Sequence, residues 1–312
     1  MINLMGDNPP EILIIDDDNS VVIVLHKVLQ DFGRVRFAAT GSQALDMIKE
    51  IRPDLILLDV ELPDINGLEL CLMLKENMLT SSIPVLFITS KIDTGFEEKV
   101  FDAGAADYIV KPLKPRVVAA RVQTHLAYHQ ALVQLNKLAH TDSLSGLPNR
   151  LAFDEQLDIE FRRARRQHEP LAVVMIDIDE FKKYNDYFGH VEGDDCIRLI
   201  GRGLRKATKR PADFVARYGG EEFALLLPNT DSKGAQALIT HLMENIASLC
   251  IKHAPEAIYP FVTVSIGFTA IEPLCCDFDS VSPLDIVERA DKALYQSKHD
   301  GRNCATYERF TV

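Results

Sequence analysis

The segment Arg217-Tyr-Gly-Gly-Glu-Glu-Phe223 sets two glycines directly before two carboxylates, between runs that read as adjacent strands. Those runs are Asp213–Tyr218 and Phe223–Leu227, with Gly219-Gly220 as the two-residue turn of a hairpin. Glycine at such a turn lets a ligand approach the backbone closely, so Glu221 and Glu222 can be presented to a metal-bound phosphate. A second pair of acids, Asp177 and Asp179, ends the continuous apolar run Leu171–Ile176, which reads as a buried strand. If that strand neighbours the hairpin, Asp177 and Glu221 share a pair of divalent cations able to stabilise an attacking oxygen and a leaving phosphate. Asp179 reads as the cap of the next helix, which turns Phe181 inward and carries Lys182 and Asn185 near its start.

A separate polar set gathers in the N-terminal third. Asp16 and Asp17 follow the candidate strand Ile12–Ile15, Asp59 ends Leu55–Leu58, Thr89 ends Val85–Ile88, and Lys111 follows Tyr108–Val110 just before Pro112. In a parallel sheet these positions share one edge, so three acids, a hydroxyl and an ammonium converge. Clustered carboxylates repel one another, and such a cluster is tolerable only with a bound cation or with protons taken up. Magnesium suits an all-oxygen donor set that also meets phosphate. Asp18 and Asp64 read as ordinary helix caps or loop residues.

From Glu11 to about Leu126, apolar runs alternate with amphipathic stretches, including a second strand at Val35–Ala38. Five strands with intervening helices predict a doubly wound α/β fold whose ligand site lies at the carboxyl ends of the strands. Between Lys114 and His140 the chain is free of glycine and rich in helix formers, and Thr124, Tyr128, Ala131, Leu135 and Leu138 alternate four and three apart, as in a coiled-coil seam. Beyond Thr141 the order helix, strand, helix, helix, hairpin, helix, strand, helix predicts an α+β layout with an antiparallel sheet. The 312 residues, 47% of them hydrophobic, suit two domains with separate cores. No apolar run reaches the length of about eighteen residues needed to cross a bilayer, and no basic segment precedes an apolar core at the N-terminus, so the reading is soluble and cytoplasmic, with no membrane insertion. A net charge of −12 argues against nonspecific nucleic-acid binding, and no basic recognition helix follows the first domain. Arg162, Arg163, Arg165 and Arg166 read as the wet face of a helix. Six cysteines without paired spacing, including the adjacent Cys275 and Cys276, read as reduced structural thiols.

The stretches Ile14-Ile-Asp-Asp-Asp18, Leu57-Leu-Asp-Val-Glu-Leu-Pro63 and Val110-Lys-Pro112 resemble the receiver domain of bacterial response regulators, over roughly residues 10 to 126. The resemblance implies Asp59 as phosphoacceptor, one magnesium held by Asp17, Asp59 and the carbonyl of Glu61 with help from Asp16, and Lys111 paired with phosphoryl oxygens. It further implies Thr89 and Tyr108 as the switch, a cis Lys111-Pro112 bond, and a histidine kinase or phosphotransfer protein as donor. A phosphoryl group adds charge and acceptor oxygens that draw a hydroxyl inward and let an aromatic ring follow. Residues 114 to 140 then form the linking helix.

Over residues 141 to 308, Asp142-Ser-Leu-Ser-Gly-Leu-Pro-Asn-Arg150, Asp177-Ile-Asp-Glu-Phe-Lys-Lys-Tyr-Asn185, Phe188-Gly-His190 and Gly219-Gly-Glu-Glu-Phe223 resemble the GGDEF diguanylate cyclases, with their nucleotidyl cyclase-like α+β fold. The family joins two GTP molecules into cyclic di-GMP and releases two pyrophosphates. Carried over by position, Asp177, the carbonyl of Ile178 and Glu221 hold two magnesium ions, and Glu222 is a further acid; the base is Glu221 or Glu222. Asn185 and Asp194 match the guanine readers, while Lys182, Lys298 and Arg302 match residues that hold the triphosphate. A carboxylate at Asp194 accepts from guanine N1–H and its amine, donors that adenine lacks there. Ser145 and Leu151 depart from the commoner threonine and arginine. Arg210-Pro-Ala-Asp213 lies at the spacing of the family's inhibitory product site. Because each domain holds one GTP, cyclisation implies a homodimer. The rival is an inactive cyclic di-GMP receptor.

Overall fold

Short apolar runs separated by capped helices account for the first half of the chain in a computed structural model, which describes residues 9–77, 79–90, 95–272 and 281–310. Strands β1 (Glu11–Ile15), β2 (Arg34–Ala38), β3 (Leu55–Asp59), β4 (Val85–Thr89) and β5 (Asp107–Val110) form a wholly parallel sheet in the order β2-β1-β3-β4-β5. Every residue of β3 and β4 is buried, as expected of central strands covered on both faces. Ile12, Ile14, Leu55, Leu57, Leu86 and Ile88 point to one face, and Leu13, Ile15, Ile56, Leu58, Val85 and Phe87 to the other, giving two cores from one alternation. Helices α1 (Asn19–Leu29), α2 (Gly41–Ile51), α3 (Gly67–Glu76) and α4 (Phe96–Asp102) connect the strands. Asp18 caps α1 by accepting from Ser20 N, and Asp64 accepts from Gly41 N and Ser42 N at the start of α2, so both acids serve structure.

Helix α5 (Pro115–His140) runs for 26 residues. Val118, Val122, Leu126 and His129 are its buried residues, and the first three join the core beside β1 and β3. Thr124, Tyr128, Ala131, Leu135 and Leu138, the seam expected from the sequence, are all exposed.

The second half folds around a mixed sheet in the order β10-β9-β6-β8-β7. Its strands are β6 (Leu171–Ile178), β7 (Phe214–Gly219), β8 (Glu222–Pro228), β9 (Val264–Ile271) and β10 (Ala305–Tyr307), all antiparallel to their neighbours except β10 against β9. Helices α6 (Arg150–Gln167), α7 (Phe181–Phe188), α8 (His190–Ala207), α9 (Ser232–Ser248) and α10 (Pro283–His299) cover it. The eight residues of β6 and the eight of β9 are all buried, and β6, with Asp177 next to its end, is the central strand of the sheet.

The hairpin turn lies one residue later than the sequence suggests. Gly219 pairs with Glu222, leaving Gly220-Glu221 as the two-residue turn, with a register shift between Arg217 and Gly219. Gly220 takes the positive φ of 41° that the first position of this turn requires, and the irregularity absorbs the extra residue. Cys71, Cys196, Cys250 and Cys304 carry free thiols, and burial raises those of Cys71 and Cys196 to about 11 and 12. Cys275 and Cys276 lie outside the described residues. Among those residues, no helix is long and apolar enough to cross a membrane.

Candidate active site and phosphoacceptor site

At the carboxyl edge of the parallel sheet, carboxylate oxygens of Asp16, Asp17 and Asp59 all lie within 4.8 Å of one another. The Lys111 ammonium sits 2.5 Å from Asp59 Oδ2 and 3.2 Å from Asp16 Oδ2, so part of the repulsion is already offset. Burial pushes the Asp16 carboxyl up to about 6; Asp59 adds to the rise, while the Asp18 amide and Lys111 oppose it. The amide of Glu61 donates to Asp59 Oδ1 at 3.3 Å, which holds the loop after β3 against the acid. Gly67 permits this close return, since a Cβ there would fall 2.2 Å from the carbonyl oxygen of Asp59. Thr89 is buried at the end of β4, and Lys111 N donates to its carbonyl at 2.7 Å. Tyr108 is half-buried, with its hydroxyl on Glu97 and its ring edge-on to Phe101. The Lys111-Pro112 bond is cis. All the acids, the hydroxyl and the lysine expected from the sequence therefore share one edge.

In the mixed sheet, Asp177 on β6 stands opposite Glu222 on β8. Ile178 N donates to the Glu221 carbonyl at 3.3 Å, which binds the hairpin turn to the end of β6. Lys298, from the last turn of α10, places its ammonium 2.7 Å from Asp177 Oδ2. Burial pushes the Asp177 carboxyl up to about 6; Lys298 opposes that rise, and Glu221 and Glu222 add to it. Three acids and a lysine thus crowd one end of a buried strand.

On the neighbouring helices, Phe181 is buried and stacks parallel to Tyr184 at 6.1 Å, while Lys182 and Asp194 are exposed. Asn185 is half-buried, and its side-chain Oδ1 is shut off from solvent with no hydrogen-bond partner. A buried amide oxygen left unpaired costs about 1–3 kcal/mol unless something donates to it. Arg302 is half-buried in the loop after α10 at a positive φ of 65°. Arg210 is exposed, and its carbonyl accepts from Asp213 N at 3.1 Å in the turn before β7. Burial raises the Asp213 carboxyl, with Arg210 opposing.

Asp179 does not cap α7. It is 3% exposed and accepts from Ser265 Oγ at 2.5 Å, Thr263 Oγ1 at 2.7 Å and Asn303 N at 3.0 Å. The residue at the helix start is Glu180, in the left-handed region with φ 52° and without a capping hydrogen bond. Donors from Thr263 just before β9, from Ser265 on β9 and from the loop after α10 give the buried carboxylate partners that a cap could not supply.

Sequence reasoning missed Asp142 and Arg217. The Arg217 guanidinium lies 3.0 Å from both Asp142 oxygens and donates to the Gly220 carbonyl from Nε at 2.8 Å and Nη2 at 2.6 Å. This fork fixes the hairpin turn from behind. The pair is separated by 75 residues, so no local pattern could reveal it. The second motif that contains Asp142 was the available signal.

Residues 139–304 match the family model "Diguanylate cyclase, GGDEF domain", and residues 12–123 match "Response regulator receiver domain". The response regulator PleD of Caulobacter vibrioides is 32% identical over 260 residues, which cover 80% of this chain and 55% of PleD. The diguanylate cyclase DgcP of Pseudomonas aeruginosa is 40% identical over 177 residues, 57% of this chain and 25% of DgcP. The chain therefore spans about half the length of one relative and a quarter of the other. A crystal structure of the coiled coil and GGDEF domain of DgcB from Caulobacter crescentus, in complex with c-di-GMP, matches with a TM-score of 0.53 and 30% identity, covering 69% of this chain and all of that one.

Proposed function

Because the chain belongs to the GGDEF diguanylate cyclase family and carries a response-regulator receiver domain ahead of that module, we propose that it is a phosphorylation-controlled diguanylate cyclase. The observation that carries this reading is the convergence of Asp177, Glu221, Glu222 and Lys298 at the end of β6. Among the described residues oxygen donors and one ammonium meet there, and burial, with Glu221 and Glu222 adding to it, raises the Asp177 carboxyl to about 6. That donor set fits hard divalent cations, with Asp177, the Ile178 carbonyl and Glu221 as the residues that would hold two magnesium ions. When bound, magnesium would neutralise phosphate charge and acidify the attacking hydroxyl.

In the proposed reaction the 3'-hydroxyl oxygen of one GTP forms a bond to the α-phosphorus of the other. The α–β phosphoanhydride bond breaks, pyrophosphate leaves, and Glu221 or Glu222 takes up the hydroxyl proton. The reciprocal attack closes the ring, so two GTP yield cyclic di-GMP and two pyrophosphates. Lys182, Lys298 and Arg302 hold the triphosphate, and Gly219 and Gly220 let it lie against the hairpin backbone. Asn185 and Asp194 read guanine, the exposed Asp194 carboxylate accepting from the N1–H and the amine. Each domain holds one nucleotide, so turnover requires a homodimer with two sites face to face.

The receiver acids support one magnesium ion at Asp16, Asp17, Asp59 and the Glu61 carbonyl, with Asp59 taking a phosphoryl group from a histidine kinase or phosphotransfer protein. Lys111 would then turn to the phosphoryl oxygens, and Thr89 and Tyr108 would follow. Arg210 and Asp213 supply a product site, the arginine forking onto phosphate or guanine and the aspartate accepting from guanine, so cyclic di-GMP inhibits its own synthesis. A pyrophosphate-release assay with GTP and magnesium tests the reading. Two pyrophosphates per cyclic product, lost with chelator and in Glu222→Gln, are expected; tight cyclic di-GMP binding without turnover would favour the receptor reading instead.

A further inference from the structure

Three consecutive residues after α10 hold a positive φ: Gly301 at 108°, Arg302 at 65° and Asn303 at 48°. Glycine adopts that region freely, but a residue with a Cβ does so only where its surroundings impose it. Two side chains from outside the turn supply the constraint, one on each side of Arg302. The Asp179 carboxylate accepts from Asn303 N at 3.0 Å, and the Tyr259 hydroxyl donates to the Gly301 carbonyl at 3.2 Å. A third bond, from Arg302 N to the Ser297 carbonyl at 3.1 Å, ties the turn back to the end of α10. Strand parity puts Asp179 where it is needed. Leu171, Val173 and Met175 of β6 share a core with Ala290 and Leu294 of α10. Asp177, inside the end of β6, and Asp179, just past it, continue the same alternation. Asp177 meets Lys298 at 2.7 Å and Asp179 meets Asn303, so one face of one strand pins both the end of α10 and the turn that follows it.

We infer that Asp179 and Tyr259 are positioning residues for nucleotide binding: by holding the backbone on either side of Arg302, they fix where its guanidinium meets the triphosphate. The inference rests on the reading of Arg302 as a triphosphate contact. Both residues act through Arg302. With either bond lost, the turn relaxes toward negative φ and the guanidinium leaves its place, whereas the base contacts on α7 and α8 keep theirs. The loss then falls on the phosphate tail and spares the guanosine.

The test measures, by calorimetry on the full chain with magnesium, the binding of two nucleotides. One is 3'-deoxy-GTP, which lacks the attacking hydroxyl and so is not consumed; the other is GMP, which lacks the outer phosphates. Arg302→Ala is expected to lower the affinity ratio of 3'-deoxy-GTP over GMP at least about tenfold, the loss of a charge-assisted contact. Tyr259→Phe removes only a hydroxyl and should lower the ratio about threefold, and Asp179→Ala about tenfold, each with GMP affinity changed less than about twofold. In the Arg302→Ala background either substitution should alter the ratio less than about twofold, because it acts only through that guanidinium. Equal weakening of both nucleotides, which a merely structural role would give, or additive effects with Arg302→Ala, would overturn the inference. So would an unchanged ratio in Tyr259→Phe, which decides alone where Asp179→Ala does not fold. An unchanged ratio in Arg302→Ala would overturn the triphosphate reading of Arg302 and the inference with it.

Discussion

Asp177 stands where burial, two glutamates and a lysine act on one carboxylate, and that balance depends on its charge. Asp177→Asn keeps the shape and removes the charge that offsets Lys298 and would hold a cation. Product formation should fall by at least about a hundredfold, comparable with the loss of a transition-state contact, while circular dichroism stays unchanged. Arg217 acts one step back, through the Gly220 carbonyl. Its partner Asp142 is drawn upward by burial, but hydrogen bonds from Ser145 and the Arg217 guanidinium outweigh that, and its carboxyl sits below the usual range. A carboxyl depressed on folding stabilises above its unfolded value near 3.9, and the contribution fades as pH falls through the lower folded value. Asp142→Asn should therefore cost about 1.5–3 kcal/mol at pH 7 in denaturant titrations, with the difference from the unsubstituted protein shrinking below about pH 4.

Elements with a strong internal pattern were legible in the sequence, and contacts between elements were not. Four of the five parallel strands stand out because each is a short apolar run closed by a polar residue, and central strands covered on both faces tolerate little else, whereas the edge strand β2 carries Arg34 and Arg36. Strand β10 escaped notice because three residues, Ala305–Tyr307, are too few to show a period, and it exists only by pairing with β9. The hairpin was recognised but its turn fell one residue early, since glycine pairs do not reveal which glycine carries the positive φ. Asp179 was misread for a related reason. An acid after a strand commonly caps a helix, yet here the start of β9 brings Ser265 and the preceding Thr263, and the loop after α10 brings Asn303, onto its oxygens. His253 adds to the lock: its Nδ1 accepts from Ala254 N at 2.7 Å, and its Nε2 meets the Asp179 carbonyl at 3.1 Å. Asp179→Ala would leave buried donors unsatisfied and should destabilise the domain by more than about 3 kcal/mol, whereas exposed Asp186→Asn should stay within about 0.5 kcal/mol by the same thermal or chemical unfolding.

At the scale of the molecule, the proposed reaction requires two cyclase domains to meet, and we propose the exposed seam of α5 as the pairing surface. Tyr128, Leu135 and Leu138 are each more than 60% exposed and sit on the four–three spacing of a coiled-coil seam. The end of that helix is also tied to the second half of the chain: Asn149 donates from Nδ2 to the Ala139 carbonyl at 2.7 Å, and Arg217 N donates to the Pro148 carbonyl at 2.9 Å. The last turn of α5 and the hairpin turn held by Arg217 are thus joined through Pro148 and Asn149. Leu135→Glu with Leu138→Glu should shift the protein to monomer in sedimentation and lower turnover at least about tenfold, with GTP binding per chain little changed, because proximity rather than affinity is lost. The most direct measurement is to incubate the full chain with GTP and magnesium, with and without beryllofluoride as phosphoryl mimic, and identify the nucleotide product by mass. The expected result is cyclic di-GMP that increases with the mimic and is lost in Asp177→Asn; GTP left unconverted in both conditions, or a product other than cyclic di-GMP, would contradict the cyclase reading.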